Sequence, residues 1–380
     1  MFKTEKPAFV AALSSIIGVV NRTAKIPIQQ HALFERDGDT IIVRGTSMDI
    51  EMAARFNAGF ADDFEDFTAP AHLMADAVKS MPDGQEIRIE RIDHAGKMTG
   101  IYIKSGRSRL KLPVMPASDF PKLDAGTLPH QLSMASSLLA KAMKATVHAV
   151  TKDQTRYYLA GVYLHPKEDG LRLVATDGLR LAVRLIKAID LDQGEDLASL
   201  PPIIVPTKAV DTILKFIAED EDVTLDYSAL KLRVTCGSRV MTAKLVEATF
   251  PDYWAIKPAA GAICASFSAA SLSGAIARVL VATPDAGLGV AFRFSGGALA
   301  LQARDNAVGE GEDEIDCAAD GEVETGYNGA HMREALDHTE GDAVELLTSV
   351  GASPSLLRAA GDEHNYTILM PMKPKGARAS

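Results

Sequence analysis

Cysteine and aromatic residues are scarce: three cysteines, a single tryptophan and an aromatic fraction of 6% in 380 residues. Cys236, Cys264 and Cys317 are far apart and odd in number, which excludes a disulfide framework and fits buried thiols in a reducing compartment. With Trp254 alone of its kind, recognition of a ligand by ring stacking is disfavoured. No stretch approaches the roughly 20 apolar residues of a membrane-spanning helix. The opening M-F-K-T-E-K-P-A-F-V-A-A-L lacks the charged leader, apolar run and cleavage site of an export signal. A cytoplasmic location and no membrane contact are therefore expected.

Chemical motifs are missing as well. There is no G-x-x-x-x-G-K loop, no G-x-G-x-x-G after a strand and no H-E-x-x-H. The nine histidines are scattered, and no Cys/His set has metal-ligand spacing, so neither metal nor cofactor is expected. Asp305–Asp316 looks superficially like a calcium loop, but Ala307 and Gly309 stand where oxygen ligands are required. That run reads as a solvated hairpin edge, and Asp362-Glu363-His364 reads as a surface turn. No catalytic centre is expected.

What remains is ordinary globular composition, 47% hydrophobic and 24% charged, in a chain too long for one comfortable core. A net charge of −10 and a pI near 5.4 would usually weigh against nucleic-acid binding. The organising stretch is Val174–Arg184, V-A-T-D-G-L-R-L-A-V-R, where a D-G step between alternating runs signals a hairpin. Asp39–Arg55 and Gly297–Glu314 carry the same pattern, with Gly45, Ala175 and Ala303 at matching places about 130 residues apart. A period near one third of the chain implies three copies of one domain. Domains at 1–124, 125–254 and 255–380 are expected, of α+β class, each with two helices packed on a sheet and a helix first.

The helices come from 3–4 spacing of apolar residues. In the first unit they span about Lys6–Val20 and Pro70–Met81, the latter burying Leu73, Ala77 and Val78 and showing Lys79. In the second they span Leu132–Ala149, with Lys141 and Lys144 outward, and Pro206–Ala218, with Lys208 and Lys215 outward. In the third they span Ser268–Ala282 and Gly329–His338, followed by strands that end with Tyr366–Met372. Lys373–Ser380 reads as a short basic tail.

Several pieces in order resemble the bacterial sliding clamp, the β subunit of the replicative DNA polymerase III. They are Arg156-Tyr157-Tyr158-Leu159, the A-T-D-G-L-R-L-A run at Ala175–Ala182, Phe250-Pro251-Asp252-Tyr253 and the terminal Met370-Pro371-Met372. The S-G-R-S-R run at Ser105–Arg109 and Asp119-Phe120-Pro121 agree, and the match covers nearly the whole chain. The resemblance implies a head-to-tail homodimer closed into a ring, helices lining the hole, and a joint pairing Leu110 with Leu280 and Val281. The alternative for those three residues is ordinary core packing.

The resemblance also implies sequence-independent contact with double-stranded DNA through Lys79, Lys141, Lys144, Lys208, Lys215, Arg278 and Arg333. For any one of these a solvated helix face is the competing reading. Tyr157 and Tyr158 match positions that touch DNA, or else pack internally. A peptide pocket for polymerase and clamp-loader motifs falls on Leu159, Thr176, Gly178, Leu179, Arg180, Leu181, Pro251, Ile256, Ile368, Leu369, Met370, Pro371 and Met372. The chain departs from the family at Leu179, usually histidine, at Ala255, usually near a basic residue, and at the bulky Trp254. Two other readings stand beside the clamp: a triplicated interaction scaffold that does not encircle DNA, and an enzyme with a site assembled across domains.

Overall fold

Apolar–polar alternation carries much of this chain into strands, and the 3.6-residue period takes over in six short stretches of the described residues. The computed structural model describes residues 1–192, 196–217, 221–258, 262–281, 289–305, 309–349 and 351–373. Among them stand six α-helices: α1 Lys6–Ile17, α2 Ala71–Ser80, α3 Ser136–Val147, α4 Thr207–Phe216, α5 Ala269–Leu280 and α6 Gly329–Asp337. They fall in three pairs, each accompanied by antiparallel strands, so the chain is a threefold α+β repeat.

Packing groups these elements into two compact units: Met1–Ala140 with Asp190–Glu195 and Lys208–Leu245, and Lys141–Ile189 with Asp196–Thr207 and Val246–Ser380. The reason lies in the sheets. In the first unit a ten-stranded sheet passes from the first repeat into the second, where strand Ile50–Asn57 pairs with Arg239–Lys244. In the second unit a nine-stranded sheet passes from the second repeat into the third, where Arg180–Lys187 pairs with Tyr366–Leu369. A five-stranded sheet completes the first unit and ends at strand Ser108–Pro113. A four-stranded sheet completes the second and ends at strand Gly309–Asp316.

The three hairpins foreseen from the repeat are present: Thr40–Thr46 with Ile50–Asn57, Gly170–Thr176 with Arg180–Lys187, and Ala298–Asp305 with Gly309–Asp316. Gly45, Ala175 and Ala303 occupy matching registers, opposite Met52, Ala182 and Gly311. Small residues are needed because a helix crosses closely. A Cβ on Gly45 would lie 2.7 Å from Val20 Cγ2 and 2.9 Å from the Ile16 carbonyl, and one on Gly311 would lie 2.8 Å from the Val279 carbonyl. Beneath α1, Phe9 stacks on Phe56 at 5.0 Å, and Phe34 stacks on Phe67 at 4.8 Å. In the second unit Phe292 meets Tyr327 edge-on at 5.1 Å, and the buried Tyr327 hydroxyl is hydrogen-bonded to Thr348 and Ser355 at 2.7 Å each. Each such ring contributes about 1.5–3 kcal/mol by leaving water.

Four local expectations are corrected. No repeat begins with its helix: strands Phe2–Glu5, His130–Ala135 and Ile263–Ser268 precede α1, α3 and α5. Leu132 and Met134 are buried in that second strand, alternating with Ser133, so the first four residues of the expected Leu132–Ala149 helix follow a two-residue period instead. Leu73 is 50% exposed, while Met74 and Ala75 are buried beside Ala77 and Val78, a rotation of the expected face by one position. The last strand stops at Leu369 because Met370 and Met372 turn their N–H groups to the carbonyls of Leu179 and Gly326. Residues 374–380 of the expected basic tail, and Ala218, Ala282 and Ala307, lie outside the described residues.

Substituting Gly45→Val should force α1 off its sheet. A loss of about 1–3 kcal/mol is expected from overpacking, read from the denaturant midpoint. Gly18→Ala, where nothing lies within 4 Å of the added Cβ, should change little.

Candidate functional site

The D-G turn is held by its own side chains. The Thr176 hydroxyl donates to the Arg180 carbonyl at 2.7 Å and accepts from the Gly178 N–H at 3.1 Å. Asp177 Oδ1 accepts the N–H groups of Leu179 and Arg180 at 2.8 and 3.0 Å. Gly178 has φ +87°, a left-handed conformation that side chains disfavour. Leu179 is thereby thrust outward, 59% exposed, and its carbonyl receives the Met370 N–H at 2.8 Å. The turn and the C-terminal segment are locked together.

Below the turn lies an apolar floor. Leu159, Val174, Leu181, Val183, Ile204, Phe250, Tyr253 and Ile368 form one buried cluster, with Ile256, Tyr158, Tyr163 and Tyr366 packed against it. The segment carrying Phe250 and Tyr253 is strapped to the sheet: Tyr163 stacks on Phe250 at 4.5 Å, and the His165 ring bonds the Tyr253 hydroxyl at 2.9 Å. Burial holds His165 down at about 4, with Lys167 and Arg172 adding to the shift. Of the residues expected to line a pocket, Leu159, Thr176, Gly178, Leu179, Arg180, Leu181, Ile256, Ile368 and Met370 gather on this turn and floor. Pro251 is exposed on the strap, and Pro371 and Met372 are half-buried after the last strand. Leu369 departs: it sits 2% exposed in the third repeat's core with Leu272 and Leu346, on the other face from Ile368.

Sequence reasoning missed Tyr163, His165 and Arg172, as well as Glu334, whose carboxylate takes the Arg180 guanidinium. Tyr163 and His165 share a strand face two apart, which was readable; Glu334 lies 154 residues from Arg180 and was not. A larger groove of about 990 Å³ opens at the start of α1, but its lysines are already engaged, Lys6 by Asp83 and Lys3 by Glu86, and it gathers none of the expected residues. Among the described residues no three His, Cys, Asp or Glu side chains could share a metal, and no helix is long and apolar enough to cross a membrane.

The expected basic residues are exposed on helix faces: Lys79 on α2, Lys141 and Lys144 on α3, Lys208 and Lys215 on α4, Arg278 on α5 and Arg333 on α6. Lys141 pairs with Glu340 at 2.8 Å and Arg278 with Asp313, both near the surface, where such pairs contribute little. Tyr157 is exposed and Tyr158 half-buried, ring against ring at 6.0 Å. Leu110 lies 40% exposed on the edge strand Ser108–Pro113, between Arg109 and Lys111. Val281 is 79% exposed at the end of α5, while Leu280 is half-buried against the third repeat's core.

Comparison with known proteins decides the family. Residues 1–124, 133–252 and 255–373 match the models of the N-terminal, central and C-terminal domains of the DNA polymerase III beta subunit. The chain belongs to the DNA polymerase III beta subunit family. A beta sliding clamp of Caulobacter vibrioides is 30% identical over 97% of this chain and 98% of its own, and that of Escherichia coli K12 is 26% identical over 98% and 99%. Among solved structures, a DnaN sliding clamp from Bartonella birtlesii bound to griselimycin has a TM-score of 0.89 at 29% identity, covering 98% of this chain and 99% of that one. A Caulobacter crescentus clamp, with PEG bound to a putative beta-motif tethering region, gives 0.89 at 29%, covering 98% of each chain.

Within this clamp fold the two sheet joints differ in chemistry. Across the second unit one register row reads Thr176, Leu181, Ile368, Leu356, Leu347, Cys264. The corresponding row of the first unit reads Thr46, Glu51, Thr242, Arg233, Asp226, Gln131. Even the turn is copied: Met48 takes the positive φ of Gly178, and its N–H donates to the Thr46 hydroxyl at 3.0 Å. Yet Glu51 accepts from Arg44 and from the Leu123 N–H, each at 2.9 Å, so charge fills the place that is apolar in the other unit. Only the second joint offers apolar groups a floor.

Behind that floor the buried Arg180 and Arg184 donate to the carbonyls of His148 and His338 at 2.6 and 2.8 Å, while the two imidazoles stack at 4.6 Å. Neither ring nitrogen of His148 has a hydrogen-bond partner. Burial first, then His338 and the arginines, hold its pKa down at about 3 instead of 6.5. The folded chain keeps His148 neutral where the unfolded chain is protonated, so this stability is complete above pH 6.5 and drains as pH falls toward 3. Between pH 7 and pH 5 its loss is about 2 kcal/mol. In His148→Gln, the drop in unfolding free energy between those two pH values should shrink by on the order of 1–2 kcal/mol, and an unchanged drop would contradict the burial argument.

Proposed function

We propose that this chain is a DNA sliding clamp, a non-catalytic, cytoplasmic processivity factor whose three domains, 1–124, 125–254 and 255–380, close with a second copy into a ring around duplex DNA. The observation that carries the reading is a pair of complementary free edges. Strand Ser108–Pro113 follows Arg107 and bears Arg109 and Lys111 beside the exposed Leu110. Strand Gly309–Asp316, G-E-G-E-D-E-I-D, bears Glu310, Glu312, Asp313, Glu314 and Asp316, and α5 packs on it up to the exposed Val281. Exposed sheet edges invite pairing. A basic edge on one copy against an acidic edge on the next supplies both direction and selectivity, with Leu110 and Val281 as its apolar centre. Because the two edges are unlike, the contact is head-to-tail.

In that ring the exposed cations at Lys79, Lys141, Lys144, Lys208, Lys215, Arg278 and Arg333, with Tyr157 and Tyr158, would face the phosphates and hold the duplex without reading its sequence. The net charge of −10 suits this arrangement, since it discourages DNA from adhering elsewhere. The turn and floor of the second unit would take apolar peptide motifs of polymerases and clamp-loader subunits, with Met370 and Met372 as adaptable walls.

Two experiments test the reading. Chain loaded onto nicked circular DNA should stay bound through gel filtration and be lost once the circle is cut; retention on linear DNA would favour an ordinary binder or scaffold. Reversing Arg109 and Lys111 to Glu should weaken the dimer at least tenfold at low salt, and adding Glu312→Lys with Glu314→Lys should restore it. Reversal without effect on dimer mass would refute the edge pairing.

A further inference from the structure

Beyond the strap carrying Phe250 and Tyr253, the same sheet face opens into a second cavity of about 490 Å³ lined by Trp254, Ile256, Leu347, Leu356, Tyr366 and Ile368. Ile256 and Ile368 line this cavity and also belong to the floor of the turn, so the cavity adjoins that floor. Leu347 and Leu356 are only half-buried, at positions where the matching strands of the first unit carry Asp226 and Arg233. The fold therefore does not require leucine there.

The cavity has one rigid wall. Tyr253 stacks on the Trp254 ring at 5.1 Å, and Arg172 lies 4.8 Å from the same ring. Asp169 fixes the Arg172 guanidinium through both of its oxygens. A tryptophan held in this way loses little freedom on binding, which is the character of an interface anchor. The rim bears one cation and one anion, Lys257 and Glu363, so it selects no charged occupant.

We propose that this cavity receives a second apolar anchor of the client peptide, a bulky aliphatic or aromatic side chain lying just outside the motif held at the turn. The inference rests on the pocket reading above and extends it. Its spacing follows from the register. Leu181, Ile368, Leu356 and Leu347 stand on consecutive strands, so the row spans about 14 Å, which an extended peptide crosses in four to five residues. Clients of this clamp carry two apolar clusters at that separation, and the Trp254 ring selects for the second.

The test pans a display library of random twelve-residue peptides against the full chain and titrates the recovered peptides against Trp254 emission, the chain's sole tryptophan signal. Two apolar clusters three to five residues apart, a blue shift on binding, and at least tenfold weaker binding to both Leu356→Gln and Leu347→Gln are expected. Replacing the second cluster by alanines should abolish the blue shift and make binding indifferent to Leu356→Gln, while Met370→Ala still weakens it. Peptides with one cluster only, or two-cluster peptides bound equally by wild type and both leucine variants, overturn the second anchor and leave the pocket standing. Binding indifferent to Met370→Ala in every recovered peptide overturns the pocket and the anchor with it.

Discussion

The backbone ladder between Arg180–Lys187 and Tyr366–Leu369 is the constraint on which the site depends. These strands come from different repeats and meet in one register, which sets Leu181 against Ile368 and Val183 against Tyr366. A slip by one residue would turn each of these side chains to the opposite face. The ladder continues past the strand, where the Met370 N–H donates to the Leu179 carbonyl and brings Met370 to the turn. It is buttressed by the buried Arg184, whose guanidinium satisfies the carbonyls of Val183, Tyr366 and His338. Burial brings Arg184 down to about 10, still charged at neutral pH, so losing one of those acceptors would strand a buried cation.

The same ladder recurs between Ile50–Asn57 and Arg239–Lys244, and Thr46 repeats both turn hydrogen bonds of Thr176. Side chains alone distinguish the two joints. Where the second unit places Leu181 and Leu356, the first places Glu51 and Arg233, and Glu51 is engaged by Arg44. An apolar peptide residue on the first joint would have to displace a partly buried ion pair, whereas on the second it meets leucine, isoleucine and tryptophan. Triplication supplied several equivalent sheet faces, and charge leaves one of these two joints able to hold an apolar motif.

Much of this was legible in the chain. The D-G turn and its echoes placed three hairpins in register, with Gly45, Ala175 and Ala303 at matching positions, and at Gly45 a crossing helix leaves no room for a Cβ. Helices showed where apolar spacing was long enough to be unambiguous. They were misread at Leu132–Ala135, where six strand residues precede the helix and Leu132 lies at helical spacing from Leu139 although it alternates with Met134 in the strand. Leu73 misled for a related reason: alanines and Met74, not the largest aliphatic, face inward on α2. The departure at Trp254 was visible, but its setting was not. That setting comes from Arg172, Tyr253 and Leu356, which converge only through strand pairings across long sequence separations. The contacts of Arg180 with Glu334 and of Arg184 with His338 each span 154 residues, beyond the reach of local pattern.

The proposed function requires one assembly, two copies joined by unlike edges around an opening. Native mass measurement at micromolar concentration, with images of the same particles, tests it most directly. The account predicts a particle of twice 40.5 kDa with a central hole that admits a DNA duplex. A monomer at that concentration, or a dimer with no opening, would contradict it.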